Sequence, residues 1–271
     1  MTSTKEIMEM ALHLSGFSHT PADSAIYVHG KNIKRVLFGI DADVPELLIA
    51  KQYGYDAVIS HHPKGGSAII DFYKVFRRHI QQMVDAGVPN QEAELAIQTK
   101  MKAIEVEMHT KNYGHAVDVA RMLKMPYMNI HTPLDELGRR IMSEAIAKAK
   151  KDATVSNIVS LLCKLPEFTK SETEIKVRLG DPANAAGPTI VSHGAGTNGG
   201  YEIAKTYFKY GVNTLIFIHV IPGDLEKLKA DGIGNLIVSG HIASDSVGIN
   251  PLITELEGQG IAVTRVGIVP P

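Results

Sequence analysis

Apolar residues fall along this chain in two rhythms. Short unbroken apolar runs closed by glycine, proline or an acid read as buried strands, and stretches where apolar residues recur every three or four positions read as helices. The spacing predicts a helix over 4–15, with Ile7, Met8, Met10, Ala11 and Leu14 on its apolar side and Gly16 as its C-cap. Residues 21–24 turn the chain toward an extended stretch at 25–28, and 35–41 read as a strong strand ending in Asp41. A helix over 45–53 and a strand over 55–60 follow, closely linked, which favours parallel pairing by a right-handed crossover. Helical patterns over 72–86 and 91–104 precede an apparent short strand at 106–110, ending at His109 and Thr110. Then come a helix over 115–123, a short strand and turn over 127–133, a helix over 137–151, and a helix over 155–164 capped by Thr154. Residues 174–179 alternate like an exposed strand, and 181–188 form the most linker-like run. Beyond it, strands are expected at 189–192, 213–219, 236–239 and 262–269, with helices over 201–210, 225–230 and from 241 to 257.

This alternation predicts an α/β protein of two lobes, residues 1–132 and 133–271, joined near 130–140. The length, 271 residues, suffices for that plan. A net charge of -1 gives no basic excess that would point to nucleic acid or an anionic membrane. No apolar run reaches membrane-spanning length, and no signal-peptide pattern opens the chain, so the expected location is cytoplasmic. One cysteine, Cys163, excludes an internal disulfide, and its apolar surroundings read as those of a buried structural thiol.

Candidate chemistry gathers where strands end. His61 and His62 follow the apolar run that closes at Ile59, and Pro63 supplies the turn that could let both rings converge. Open α/β sheets place ligand sites at strand ends, and neutral imidazole is the commonest protein metal ligand. His241 again follows a strand, and Asp245 lies four residues on, on the same face of a helix. Imidazoles and carboxylates without thiolate suit zinc, iron, manganese, nickel or cobalt alike, as one ion or two. His109, His115, His131, His193 and His219 also fall near strand ends, and His109 is the one promoted as a further ligand.

The run from Gly194 to Gly199 matches G-x-G-x-x-G between a strand and a helix. The next strand ends Phe217-Ile218-His219-Val220 without the acid that would hold a ribose, which argues against a dinucleotide. A tight turn, or an anion site at a helix N-terminus, remains.

These stretches resemble the Ngg-interacting-factor-three-like family, known as GTP cyclohydrolase I type 2. The similarity runs over most of the chain. Residues 36–41 with Asp56-Ala57-Val58-Ile59-Ser60-His61-His62-Pro63 look like the family's first motif, and Gly194-Ala195-Gly196 with Gly211-Val212-Asn213 resembles the middle of its second lobe. Gly240-His241-Ile242-Ala243-Ser244-Asp245 is similar to its C-terminal G-H-x-x-[ST]-E. The resemblance implies two interlinked α/β lobes with a dinuclear metal site at their interface, the last motif, 240–271, packing back on the first lobe, and a homo-oligomer, commonly a hexameric ring. Carried over, the metal ligands are His61, His62, His241 and Asp245, with a metal-bound water as nucleophile. Asp245 is shorter than the family's Glu. The family also has an acid in a stretch like H-T-N-L-D; here His109-Thr110-Lys111-Asn112 matches its start and Tyr113 stands near the acid's place, with His109, Asn112 and His115 as substitutes. The expected function is therefore a metal-dependent hydrolase of a nucleotide-like or phosphorylated small molecule, possible GTP ring opening included. The alternative is a non-catalytic metal-binding scaffold, which the departure at Tyr113 favours, and a nucleotide-binding module ranks third.

Overall fold

The computed structural model describes residues 2–271. Nine strands lie among them: β1 (Ala25–Val28), β2 (Arg35–Gly39), β3 (Ala57–Ser60), β4 (Tyr127–Asn129), β5 (Lys176–Leu179), β6 (Thr189–Val191), β7 (Thr214–Phe217), β8 (Asn235–Val238) and β9 (Ala262–Val266). They form two mixed sheets, ordered β1-β4-β3-β2-β9 and β5-β8-β7-β6. Each sheet has a parallel body and one antiparallel edge: β1 runs against β4, and β5 against β8. The parallel pairing of β2 with β3 is the one their close spacing predicts. The last strand, β9, returns to the first sheet and pairs in parallel with β2.

Packing explains why the sheets are interlinked. The helices Val44–Gln52 and His115–Leu123 cover the outer face of the first sheet, burying Leu47, Ala50, Ala116 and Ala120 with Leu37 and Val58. Arg78–Asp85, Asn90–Met108 and Tyr201–Lys209 cover the outer face of the second sheet, burying Met83, Ile97, Ile203 and Tyr207 with Leu215 and Phe217. Between the sheets lie the helices Thr132–Ile146 and His241–Gly258. His241–Gly258 sends Ile249, Leu252, Ile253 and Leu256 into the first core, and Ala243 and Val247 into the second. A helix apolar on two sides has to be buried on both.

These two helices meet closely because each carries a glycine at the crossing. A Cβ at Gly248 would lie 2.0 Å from the Leu134 carbonyl oxygen, and one at Gly138 would lie 3.2 Å from the Ser244 carbonyl oxygen. No larger residue fits that approach.

Several expected elements shift. Residues 106–110 are not a strand: the helix Asn90–Met108 runs through them, and His109 is its exposed C-cap. Nothing breaks the helical period there, and a short alternating run is ambiguous between the two periods. The helix expected from 137 starts at Thr132, since Pro133 sits in its first turn, where a missing N–H costs nothing. The expected joint near 130–140 is thus the buried start of a helix. Cys163 is exposed, after the helix Val155–Leu162 rather than inside it. Thr154 caps that helix as expected, its hydroxyl accepting from the Asn157 N–H.

Candidate metal centre

The parallel strands of both sheets end at one place, as in other open α/β sheets. His61 and His62 follow β3, His131 follows β4, His193 follows β6 and His241 follows β8. The strand ladder continues one step past β3, with the His61 and His62 N–H groups donating to Gly39 and Ile40 carbonyls. The Ser60 hydroxyl then donates to the His62 carbonyl at 2.9 Å, closing the turn. The two rings, which a straight strand would splay, end with centroids 5.1 Å apart.

Three overlapping sets of donor atoms result, each within 4.8 Å: His61, His62 and His131; His62, His241 and Asp245; and His61, Asp135 and Asp245. His193 Nε2 joins them at 3.7 Å from Asp135 Oδ1 and 4.0 Å from Asp245 Oδ1. The expected residues His61, His62, His241 and Asp245 are therefore brought together. His109 and Tyr113, both exposed, belong to none of the three sets. A carboxylate the sequence reading did not single out, Asp135 in His131-Thr132-Pro133-Leu134-Asp135, belongs to one of the three sets.

The sequence reading placed His131 and His193 near strand ends without promoting them and did not single out Asp135, although a signal for two of the three existed. His131-Thr132-Pro133-Leu134-Asp135-Glu136-Leu137-Gly138 and His241-Ile242-Ala243-Ser244-Asp245-Ser246-Val247-Gly248 share the pattern H-x-x-x-D-x-x-G. Each opens one of the two crossing helices. His and Asp share a face one turn apart, and the glycine one turn further lets the other helix approach. His193 carries no comparable mark. Its place is set by the turn after it, where Gly194 and Gly196 take φ of +71° and +80°, as the tight-turn reading expects. Arg78 ties that turn to the helix start, donating to the Gly194 carbonyl at 2.7 Å and to Glu136 at 3.0 Å.

Proton positions define what the cluster can bind. His61 Nδ1–H donates to the Ile130 carbonyl at 3.0 Å, His131 Nδ1–H to Asp23 at 2.6 Å and His62 Nδ1–H to Asp41 at 2.9 Å. A carbonyl oxygen only accepts, so His61 carries a proton on Nδ1, and its Nε2 is the nitrogen turned inward. Such outer partners are how proteins orient metal-binding imidazoles. His61 Nε2 lies 3.0 Å from Asp135 Oδ1, yet neither atom has a hydrogen-bond partner. His193 Nε2 and Asp245 Oδ2 are likewise buried without one. A lone pair facing a carboxylate oxygen needs a positive charge between them, a proton or a metal ion.

Electrostatics set the charge state of each donor. Burial opposes ionisation of Asp135, but His131, His193 and His61 outweigh it and hold the carboxyl below its usual range. Asp245 is held down too, against burial, by His62, His61 and His241. Burial pushes His241 down, leaving it neutral at physiological pH. Burial would lower His62 as well, but Asp245 and Asp41 overcome it and raise the ring to about 9.

Fold and site together define a class: two-sheet α/β proteins with a histidine–aspartate metal-donor cluster between the sheets. The crystal structure of a NIF3 superfamily protein from Sphaerobacter thermophilus matches this chain with a TM-score of 0.95 and 46% identity, covering 98% of each chain. The chain belongs to the NIF3 superfamily. Reduced HcgD from Methanocaldococcus jannaschii matches at a TM-score of 0.59 and 12% identity over 97% of each chain, a likeness of fold alone. A Bacillus cereus protein related to NIF3 matches in the same way, at 0.52 and 11%, over 98% of this chain and 96% of that one. No sequence-family profile and no curated protein matches. Among the described residues, no helix is long and apolar enough to cross a membrane.

Proposed function

We propose that this protein is a metal-dependent hydrolase acting on a nucleotide-like or phosphorylated small molecule. One observation carries the reading: four buried donor atoms, on His61, Asp135, His193 and Asp245, face one another without hydrogen-bond partners. His61, His62, His241 and Asp245 would hold the metal, with His131, Asp135 and His193 completing the donor set. The number of donors favours two ions over one, and imidazole with carboxylate admits zinc, iron, manganese, nickel or cobalt. When bound, the metal supplies Lewis acidity, which polarises a phosphoryl or carbonyl oxygen and acidifies water. The chain's own part is to keep the carboxylates ionised, to fix the imidazoles through Ile130, Asp23 and Asp41, and to exclude water from all but the His62 and His241 side. GTP ring opening is the specific reaction proposed first. Family membership supports a homo-oligomer, and a hexameric ring in the cytoplasm is the form proposed, whose size light scattering tests.

The scaffold alternative draws on two departures, the shorter Asp245 and Tyr113 near the place of the family's acid, and Asp135, 3.0 Å from His61 Nε2, supports the hydrolase reading against the second. The test uses protein purified without chelator. About two metals per chain, lost in His61→Ala and Asp135→Asn, is the expected content. Metal-dependent product from GTP or from simple phosphoesters is the expected activity. No such product from any of them would overturn the hydrolase reading.

A further inference from the structure

His219 stands outside the donor set yet beside it. It follows β7, and its ring centroid lies 4.8 Å from that of His241, at 64° between planes. Solvent reaches the cluster on this side: the His241 and His62 side chains are 40% and 20% exposed, while those of His61, Asp135 and Asp245 are almost sealed. His219 is itself half-buried. A small molecule approaching the centre arrives where His219 is.

Asn198 settles how the ring presents itself. This residue is 5% exposed and sits on the glycine-rich turn that the proposed function leaves unused. Its amide nitrogen meets two atoms of His219, the backbone carbonyl oxygen and ring Nδ1, the latter at 2.8 Å. A carbonyl oxygen only accepts, so the NH2 end of the amide faces it, and the second amide hydrogen goes to Nδ1. Nδ1 is therefore unprotonated, and the neutral ring carries its proton on Nε2. His61, His62 and His131 are arranged the opposite way, with the proton held on Nδ1 by an acceptor and Nε2 left for a metal. His219 offers an N–H where its neighbours offer lone pairs. Among the described residues, the hydrogen bonds of the His219 side chain are confined to Nδ1, and that N–H makes none.

We propose that His219 recognises the ligand of the metal centre, its Nε2–H donating to an oxygen of a phosphate-type oxyanion bound on the open side of the cluster. The inference rests on the metal-centre reading above. An anionic oxygen fits better than a neutral one, because bound cations face it on one side. The glycine-rich turn thus acts through Asn198, by fixing a tautomer, and has no need to cradle the anion itself.

The test measures metal content first, then titrates inorganic phosphate calorimetrically into the metal-loaded protein. His219→Phe is expected to keep its metal and to bind phosphate about tenfold or more weakly. His219→Gln, whose amide can still donate, is expected to recover part of that loss. Nitrogen-15 NMR of the histidines, on metal-free wild type, is expected to find His219 protonated on Nε2. Wild type that holds no metal overturns the metal reading and this proposal with it. Metal-loaded wild type whose phosphate affinity is indifferent to His219→Phe overturns this proposal alone. So does loss of metal in His219→Phe, which would make His219 a ligand, or a proton found on Nδ1.

Discussion

The behaviour of the site turns on single protons. His61 Nε2 lies 3.0 Å from a carboxylate oxygen of Asp135, a pair that a proton or a metal ion between them stabilises. Asp135→Asn keeps the side-chain volume and removes the anionic donor. Its metal content, by elemental analysis, should fall at least tenfold relative to wild type while circular dichroism stays unchanged. His62 gives a pH signature in the metal-free protein. Its folded value is raised from 6.5 to about 9 because Asp245 and Asp41 outweigh burial. The stability it contributes is fully present below its unfolded value and is lost as pH rises through the folded one. Urea unfolding of metal-free wild type should therefore lose about 2 kcal/mol between pH 7 and pH 9.5 relative to His62→Gln. A rise in wild-type stability over that interval would sink this assignment. Binding a metal at His62 competes with the same proton, so affinity should climb over that range.

At the scale of elements, the helix crossing brings two half-sites together. The helices Thr132–Ile146 and His241–Gly258 each place an Asp one turn before a glycine, and those glycines touch the opposite backbone. Gly248→Ala drives a Cβ to within 2.0 Å of the Leu134 carbonyl oxygen, so one helix has to move. The expected cost is about 3 kcal/mol, with loss of metal, because Asp135 and Asp245 separate together. Gly258→Ala lies in the same helix with nothing within 4 Å of the added carbon. It should be neutral or stabilising by up to about 1 kcal/mol. Equal destabilisation of the two variants in thermal melts would show that the crossing is not the constraint.

For the whole molecule, the central helix layer belongs to both sheets, and the donors come from the strand ends of both. His61, His62 and His131 follow strands of the first sheet, while His193 and His241 follow strands of the second. A metal bound there ties the two halves together. Chelation should lower the melting temperature, and restored metal should raise it in a concentration-dependent way. At a hundred times the dissociation constant the gain should be about 2.7 kcal/mol. His61→Ala should melt at the same temperature with and without added metal.

Local physics was enough for much of this. Parallel β2 and β3 followed from apolar runs and short links, Thr154 from capping chemistry, and the His61-His62 and His241–Asp245 candidates from polar residues placed at strand ends. These depend on neighbours in sequence, so sequence carries them. The failures share a cause. A helix that starts on Pro133 hides its own beginning, and so Asp135 with it; a short alternating run at 106–110 is legible in both periods, and that promoted His109 wrongly. The role of His193 and the tautomer of His219 could not be read, because the fold chooses a ring's neighbours, Asp135 for one and Asn198, 21 positions away, for the other. Which histidines share a space, and which nitrogen of each holds the proton, is decided when two sheets close on a common helix layer. Only the tertiary structure supplies that, since the distances that matter join residues some sixty to two hundred positions apart.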